Sequence, residues 1–312
     1  MSMDNNRPGI GETGFAQNPP APGTPLPASD LAVLDTIAET LQGRRVALLS
    51  GAGLSTDSGI PDYRGPGSAP RNPITYQEFL RDAELRQRYW ARNHLGWAHM
   101  RQAAPNAGHY AIAALERAGQ LTGIITQNVD RLHQSAGARQ VVDLHGRFDQ
   151  IVCMECATTY SRAFLATVLA ELNPGFLEAV DAAGGVAAAP DADAGLESAQ
   201  LINSFKVARC PLCGGMLKPD FVFFGENVPK DRVERSYAMV DSAQVLLVAG
   251  SSLTVMSGLR FVKKAAKEGK PVIIINRGPT RGDEQASIKL EAGVGESLAR
   301  LAELLTPDWR NP

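Results

Sequence analysis

Short apolar runs recur along the chain at residues 46–49, 121–126, 141–144, 221–224, 245–249 and 272–275, each bounded by turn residues. Continuous apolar runs of this length, without polar alternation, are the pattern of strands covered on both faces. Between them the apolar positions follow helical spacing over 75–103, 107–118, 230–240 and 257–268, the last passing through Leu259, Phe261 and Val262 to a Gly269 stop ahead of Pro271. An earlier helix is predicted by Leu31, Leu34, Ile37 and Leu41, with Ser29 as its N-cap and Gly43 closing it in the left-handed region. Strand and helix in alternation imply an α/β fold, an open parallel sheet wound with helices on both faces.

One stretch breaks the alternation. Residues 151–218 contain all four cysteines of the chain, as the pairs Cys153/Cys156 and Cys210/Cys213. C-x-x-C spacing lets two thiolates reach one ion from a tight turn, and two such pairs complete a tetrahedral set with no open position, which predicts structural zinc over a reactive dithiol. The pairs stand much further apart than in a compact zinc ribbon, and 182–195 between them is built largely of Ala, Gly, Asp and Pro, the composition of a surface loop. Residues 1–28 are rich in Pro, Gly and Asn and lack apolar periodicity, so they read as a disordered tail. The expected organisation is thus a discontinuous domain, 29–150 with 219–308, carrying an inserted zinc-binding module at 151–218.

Composition narrows the function. At 312 residues and 44% hydrophobic the chain can bury a large core, and a net charge of −2 gives no basic field for nucleic acid. No apolar run reaches the roughly 20 residues of a membrane span, and the tail holds a single arginine, Arg7, which argues against an Arg-rich targeting segment. No nucleic-acid or membrane partner is expected, and the expected location is cytoplasmic, where thiols favour metal over disulfide.

The candidate chemistry lies just past the apolar runs. Gly51-Ala52-Gly53-Leu54-Ser55 follows the first run, where glycines let backbone N–H groups approach a pyrophosphate. The third glycine of a complete dinucleotide fingerprint is replaced by Thr56, so this fragment alone could equally be a strand-to-helix turn. Gly59-Ile60-Pro61-Asp62-Tyr63-Arg64 adds an acid, a ring and a guanidinium in a Gly/Pro-rich loop. Thr126-Gln127-Asn128-Val129-Asp130 and Leu144-His145-Gly146 place polar groups and an imidazole at further run ends, where open α/β sheets hold their ligands.

Together these motifs resemble the sirtuins, NAD-dependent protein lysine deacylases, over about residues 32–304. The resemblance implies a Rossmann-like fold with a zinc module, NAD and zinc as cofactors, and acylated-lysine proteins or peptides as partners. It implies His145 as general base, an imidazole being suited to taking a ribose proton near neutral pH. It places Asn128 and Asp130 at the nicotinamide ribose, and Gly51, Ala52, Gly53, Ser55, Asp62, Tyr63, Arg64 and Gln127 around the same cofactor. Gly250-Ser251-Ser252, Asn276-Arg277-Gly278 and Val294 fall to its adenosine half. Tyr63 stands where many relatives have phenylalanine. The segment 218–226 resembles the edge that pairs with substrate, giving Val222, Phe224, Gly225 and Glu226 as substrate contacts.

The acyl group stays open. Tyr89 and Arg92 have the Tyr-x-x-Arg spacing that some sirtuins use for acidic acyl chains, and i and i+3 share a helix face. The alternative is a packed tyrosine beside a solvated arginine. The stretch 87–93 most resembles the class II branch. Two rival activities remain, protein mono-ADP-ribosyltransfer from the same cofactor and non-catalytic NAD sensing. A dehydrogenase is disfavoured by the incomplete glycine motif.

Overall fold

A computed structural model describes residues 26–62, 73–182, 196 and 198–310. Most of the expected tail, the Tyr63 and Arg64 positions and almost all of the Ala/Gly/Asp/Pro stretch lie outside the described residues. Among the described residues nine strands form two sheets: β1 (Val46–Ser50), β2 (Leu121–Thr126), β3 (Val141–Asp143), β4 (Gly146–Cys153), β5 (Thr159–Ser161), β6 (Leu217–Phe221), β7 (Val245–Ala249), β8 (Val272–Ile275) and β9 (Ile288–Leu290). The larger sheet has the order β3-β2-β1-β7-β8-β9 and is parallel throughout.

Period-two geometry explains why these runs are continuously apolar. In β1, Val46 and Leu48 face one core while Ala47 and Leu49 face the other. The same split recurs in β7, with Val245, Leu247 and Ala249 opposed to Leu246 and Val248, and in β8, with Ile273 and Ile275 opposed to Val272 and Ile274. Both faces are dry, so polar residues are confined to strand ends and must find partners there, as the Ser50 hydroxyl does in Thr126 Oγ1.

The helices are α1 (Ala28–Leu41), α2 (Tyr76–Arg81), α3 (Ala83–Gln102), α4 (Ala107–Arg117), α5 (Leu132–Ser135), α6 (Arg162–Leu172), α7 (Phe176–Ala182), α8 (Ala199–Ser204), α9 (Lys230–Ser242), α10 (Met256–Lys267) and α11 (Val294–Leu305). Side chains of α1, α4 and α11 fill the first core, and those of α9 and α10 the second. Among the described residues no single helix is long and apolar enough to cross a membrane.

Three expectations need correction. The helix expected over 75–103 is two helices, because the Asp82 carboxylate accepts from the N–H groups of Glu84 and Leu85 and its extended backbone starts α3 afresh. Ser29 lies inside α1, whose N-cap is Pro27. The run 221–224 is not a strand of the parallel sheet. Its first residue ends β6, which pairs antiparallel with β4 in the second sheet, of order β5-β4-β6. Phe221 and Phe223 bury themselves against Phe79, Tyr89 and Trp90 of α2 and α3, so the apolarity that suggested a sheet strand serves a third, aromatic-rich core shared with the cysteine segment.

Candidate functional site

Strand order sets the order of the site. Past the carboxyl ends of β3, β2, β1, β7 and β8 lie, in turn, His145, Gln127–Asp130, Gly51–Gly53 with Ser55, Gly250–Ser252 and Asn276–Gly278, and all line one cavity of about 760 Å³. From β1 the chain winds to β2 and β3 on one side, and from β7 to β8 and β9 on the other. The cavity therefore sits at the topological switch point between β1 and β7.

At that point two loops interlock. A Cβ on Gly51 would lie 2.7 Å from the Gly250 carbonyl oxygen, and one on Gly250, whose φ is +68°, would lie 2.4 Å from the Leu54 nitrogen. Glycine is required here by loop-to-loop contact before any ligand is considered. After β1 the chain makes two short 3₁₀ turns, at Ala52–Leu54 and Thr56–Ser58.

The polar wall is closely bonded. Asn128 Nδ2 donates to the Gly51 carbonyl and to Ser55 Oγ, both at 3.0 Å, while Ser55 Oγ donates to Asp130 Oδ2 at 2.6 Å. Asp130 Oδ1 accepts from the Leu132 N–H at 2.9 Å. Burial pushes the Asp130 carboxyl up, and these two hydrogen bonds oppose that rise. Arg131, at φ +67°, is held by an ion pair with Asp143 at the end of β3. A second non-glycine residue in the left-handed region, Leu253 at φ +55°, also lines the cavity. Its N–H donates to Ser251 Oγ.

His145 is half-buried, and both ring nitrogens have partners. Nδ1 lies 3.0 Å from the Gln127 carbonyl oxygen and Nε2 lies 2.7 Å from Ser257 Oγ. Burial lowers its pKa to about 4, the Gln127 hydrogen bond working against that shift and Arg232 and Arg260 adding to it. The imidazole is thus neutral at pH 7, the form that can accept a proton. His133, by contrast, is fully buried under Ser50, 2.7 Å from its hydroxyl, and burial takes it to about 3.

On the opposite side of the chemistry, Val222, Phe224, Gly225 and Glu226 also line the cavity. Part of this segment's backbone is already paired: the Val222 N–H donates to the His145 carbonyl, the Tyr76 N–H to the Phe224 carbonyl, and Gln77 Nε2 to the Gly225 carbonyl. The Glu226 side chain is engaged internally, 3.1 Å from the buried Lys218 Nζ and accepting from the Phe223 N–H at 2.9 Å. Lys218 Nζ also donates to the Phe221 carbonyl at 2.6 Å, so one ammonium ties both ends of the segment.

Three expected residues lie elsewhere. Val294 begins α11 and packs in the first core, Tyr89 is buried among Phe79, Trp90 and Phe223, and Arg92 follows Tyr89 by one turn of α3, none of them lining the cavity. The cavity adds residues that sequence reasoning passed over, chiefly Ser257 and Arg260 on the first turns of α10. Ser257 coincided with the expected start of a helix, which gave a reason for a serine there and hid another.

In the second sheet the four cysteine sulfurs lie within 4.8 Å of one another. Cys153 to Cys213 is 3.5 Å and Cys156 to Cys210 is 3.8 Å. A tetrahedral ion with Zn–S bonds of 2.3 Å needs sulfurs about 3.8 Å apart, so the set fits zinc in number, chemistry and spacing. Residues far apart in sequence meet because β4 and β6 pair through Cys153 and Leu217.

A parallel sheet wound on both faces, with a polar cavity at its switch point and a four-thiol module beside it, defines a Rossmann-like α/β protein with an antiparallel metal-binding lobe. The family model described as "Sir2 family" matches residues 51–257. A protein from Mycobacterium avium (strain 104) named NAD-dependent protein deacetylase 1 is 56% identical over 271 residues, covering 87% of this chain and 95% of the relative. The solved complex "Sir2-p53 peptide-NAD+" superposes with a TM-score of 0.68 at 31% identity, covering 86% of this chain and 97% of that one. A Sir2 variant with deacetylated p53 peptide and 3′-O-acetyl ADP ribose gives 0.67 at 28% identity, with coverages of 86% and 97%. The chain belongs to the Sir2 family.

Proposed function

We propose that this protein is an NAD-dependent protein lysine deacylase. One observation carries the reading: the His145 imidazole, with both ring nitrogens partnered, lines a cavity whose walls include the loops after five parallel strands. NAD, when bound, supplies the activated bond to nicotinamide and is consumed, the products being nicotinamide, free lysine and O-acyl-ADP-ribose. Gly51, Ala52, Gly53, Ser55, Asp62 and Gln127 would hold it near the nicotinamide end. Gly250, Ser251, Ser252, Asn276, Arg277 and Gly278 would hold the adenosine half.

His145 would act as general base at Nε2, the nitrogen left free to accept a ribose hydroxyl proton while Nδ1 is held by the Gln127 carbonyl. Asn128 and Asp130, fixed by Ser55, orient the ribose. Phe221, Phe223 and Val228 give the cavity apolar surface that excludes water from the reacting carbon. The substrate peptide runs extended along 222–226, whose backbone Lys218 and Gln77 hold in place. Cys153, Cys156, Cys210 and Cys213 would hold zinc with no open position, a structural role. Their unpaired thiols suit a reducing, cytoplasmic setting.

The test is a panel of acetyl-, succinyl-, glutaryl- and lipoyl-lysine peptides with NAD, following peptide mass and nicotinamide. Acyl loss matched one-to-one by nicotinamide, and abolished in His145→Ala, is expected. A peptide gaining ADP-ribose mass would replace deacylation with ADP-ribosyl transfer.

A further inference from the structure

We infer that Ser257 is a positioning residue for the base, its hydroxyl holding the His145 Nε2 atom at the cavity wall. The inference rests on the deacylase reading for its consequence and on geometry for its existence. The Gln127 carbonyl carries no hydrogen, so His145 Nδ1 must be the protonated nitrogen of the neutral ring. Nε2 then has only a lone pair, and the partner at 2.7 Å, Ser257 Oγ, must donate to it.

The serine is not spent on its own helix. α10 has Val255 as N-cap with no side-chain cap, and Ser257 is the second helical residue, its hydroxyl turned to a histidine 112 positions away. The clamp is also closed on itself. Gly258, next to Ser257, packs so near Gln127 that a Cβ there would lie 2.7 Å from Gln127 Nε2. Gln127 Oε1 in turn accepts from Ser251 Oγ at 2.5 Å. One residue thus joins the group on Nδ1 to the start of the helix that carries the group on Nε2. The ring is gripped from both nitrogens by parts that are fixed to each other.

A hydroxyl suits this place for a chemical reason. It donates to the single lone pair of the neutral ring while the site is empty, yields that lone pair to the ribose hydroxyl, and accepts from the new N–H once Nε2 has taken the proton. Ser257 therefore supports both charge states with no net change in its own protonation. A methyl group supports neither.

The experiment compares wild type, Ser257→Ala and Ser257→Thr by three readings: deacylated peptide formed per second, exchange of labelled nicotinamide into NAD, and the ¹⁵N shift of His145 Nε2 without substrate. Exchange needs bond cleavage but not the base. Ser257→Ala is expected to lose about tenfold or more in product formation while exchange stays within about twofold, with Ser257→Thr restoring most of the loss. The Nε2 resonance should move in the alanine variant and return in the threonine variant. Unchanged product formation in Ser257→Ala, or an equal fall in exchange and product, overturns the inference. Failure of the wild type to remove any acyl group would instead sink the deacylase reading, leaving the resonance to decide whether the hydrogen bond exists.

Discussion

In the six-stranded sheet, β1, β7 and β8 are buried at every residue, whereas in the three-stranded sheet β5 is exposed at both ends and β4 alternates. The first region holds its shape by apolar area removed from water on two faces. The second is small, with cysteines at the turns where its strands meet, and two of them, Cys156 and Cys213, are exposed. Its order rests on the four sulfurs together with the aromatic-rich core it shares with α2 and α3, since a lobe of this size can rarely bury enough to fold unaided. The two regions should therefore fail under different insults.

The largest expected effect separates them directly. Cys210→Ala should abolish stoichiometric zinc and forfeit metal-linked folding energy on the order of 10 kcal/mol. Hydrogen exchange should then speed across β4, β5 and β6 while β1 and β7 stay protected. Simultaneous loss of protection in both sheets would break the comparison.

His145→Ala is the converse case, striking the site and sparing both sheets. Product formation should fall by about 10²–10⁴-fold with the melting temperature nearly unchanged. A variant that instead unfolds would make His145 structural.

At the seam between the regions, Lys218→Met leaves the Glu226 carboxylate without its cation. A cost of about 2–4 kcal/mol follows, measurable in denaturant, with a raised KM for peptide because the 221–226 segment loses its tie. No change in KM would detach that segment from substrate binding.

Acid should loosen the parallel-sheet side first. Burial holds His145 at about 4 and His133 at about 3, and pushes His109 well down, all below the usual 6.5. The unfolded chain takes up these protons near pH 6.5 and the native one resists, so stability is full above pH 6.5 and declines as pH falls toward about 4. His94, held at about 4 beside the cysteine lobe, adds one such group there. The raised carboxyls of Asp57, Asp130 and Asp143 take protons in the native state above the normal carboxyl range and offset part of the loss at the acidic end. Unfolding free energies in denaturant at pH 7.5, 6.5 and 5.5, with each of these histidines costing about 1.4 kcal/mol from end to end, check the sign. A flat profile would contradict it.

Smallest is Tyr89→Phe. It removes the hydrogen bond that Asn93 Nδ2 donates to Tyr89 Oη, costing about 1 kcal/mol, and leaves the ranking of acetyl and succinyl peptides unchanged. A shift in that ranking would restore the tyrosine to acyl recognition.

How much of this was legible in the chain follows from which signals are local. Strands β1, β2, β7 and β8 were readable because burial on both faces leaves few polar positions, and the loops after them because α/β sheets gather ligands at strand ends. Strand β9 was missed: Ile288, Lys289 and Leu290 form too short a pattern to stand out. The run 221–224 misled because apolarity reports burial but not against what. The break at Asp82 was a capping signal hidden inside a long helical period. Lys218 and Ser257 acquire their meaning only from Glu226 and His145, partners that folding supplies.

The interlock of Gly51 with Gly250 constrains how this cavity can change over generations. Neither Gly51 nor Gly250 has space for a side chain while the opposite loop keeps its course, so a substitution at one of them is a fault until that loop has already moved. Variation in this wall should arrive in matched pairs or not at all, and a library that randomises one loop alone would return mostly unfolded chains.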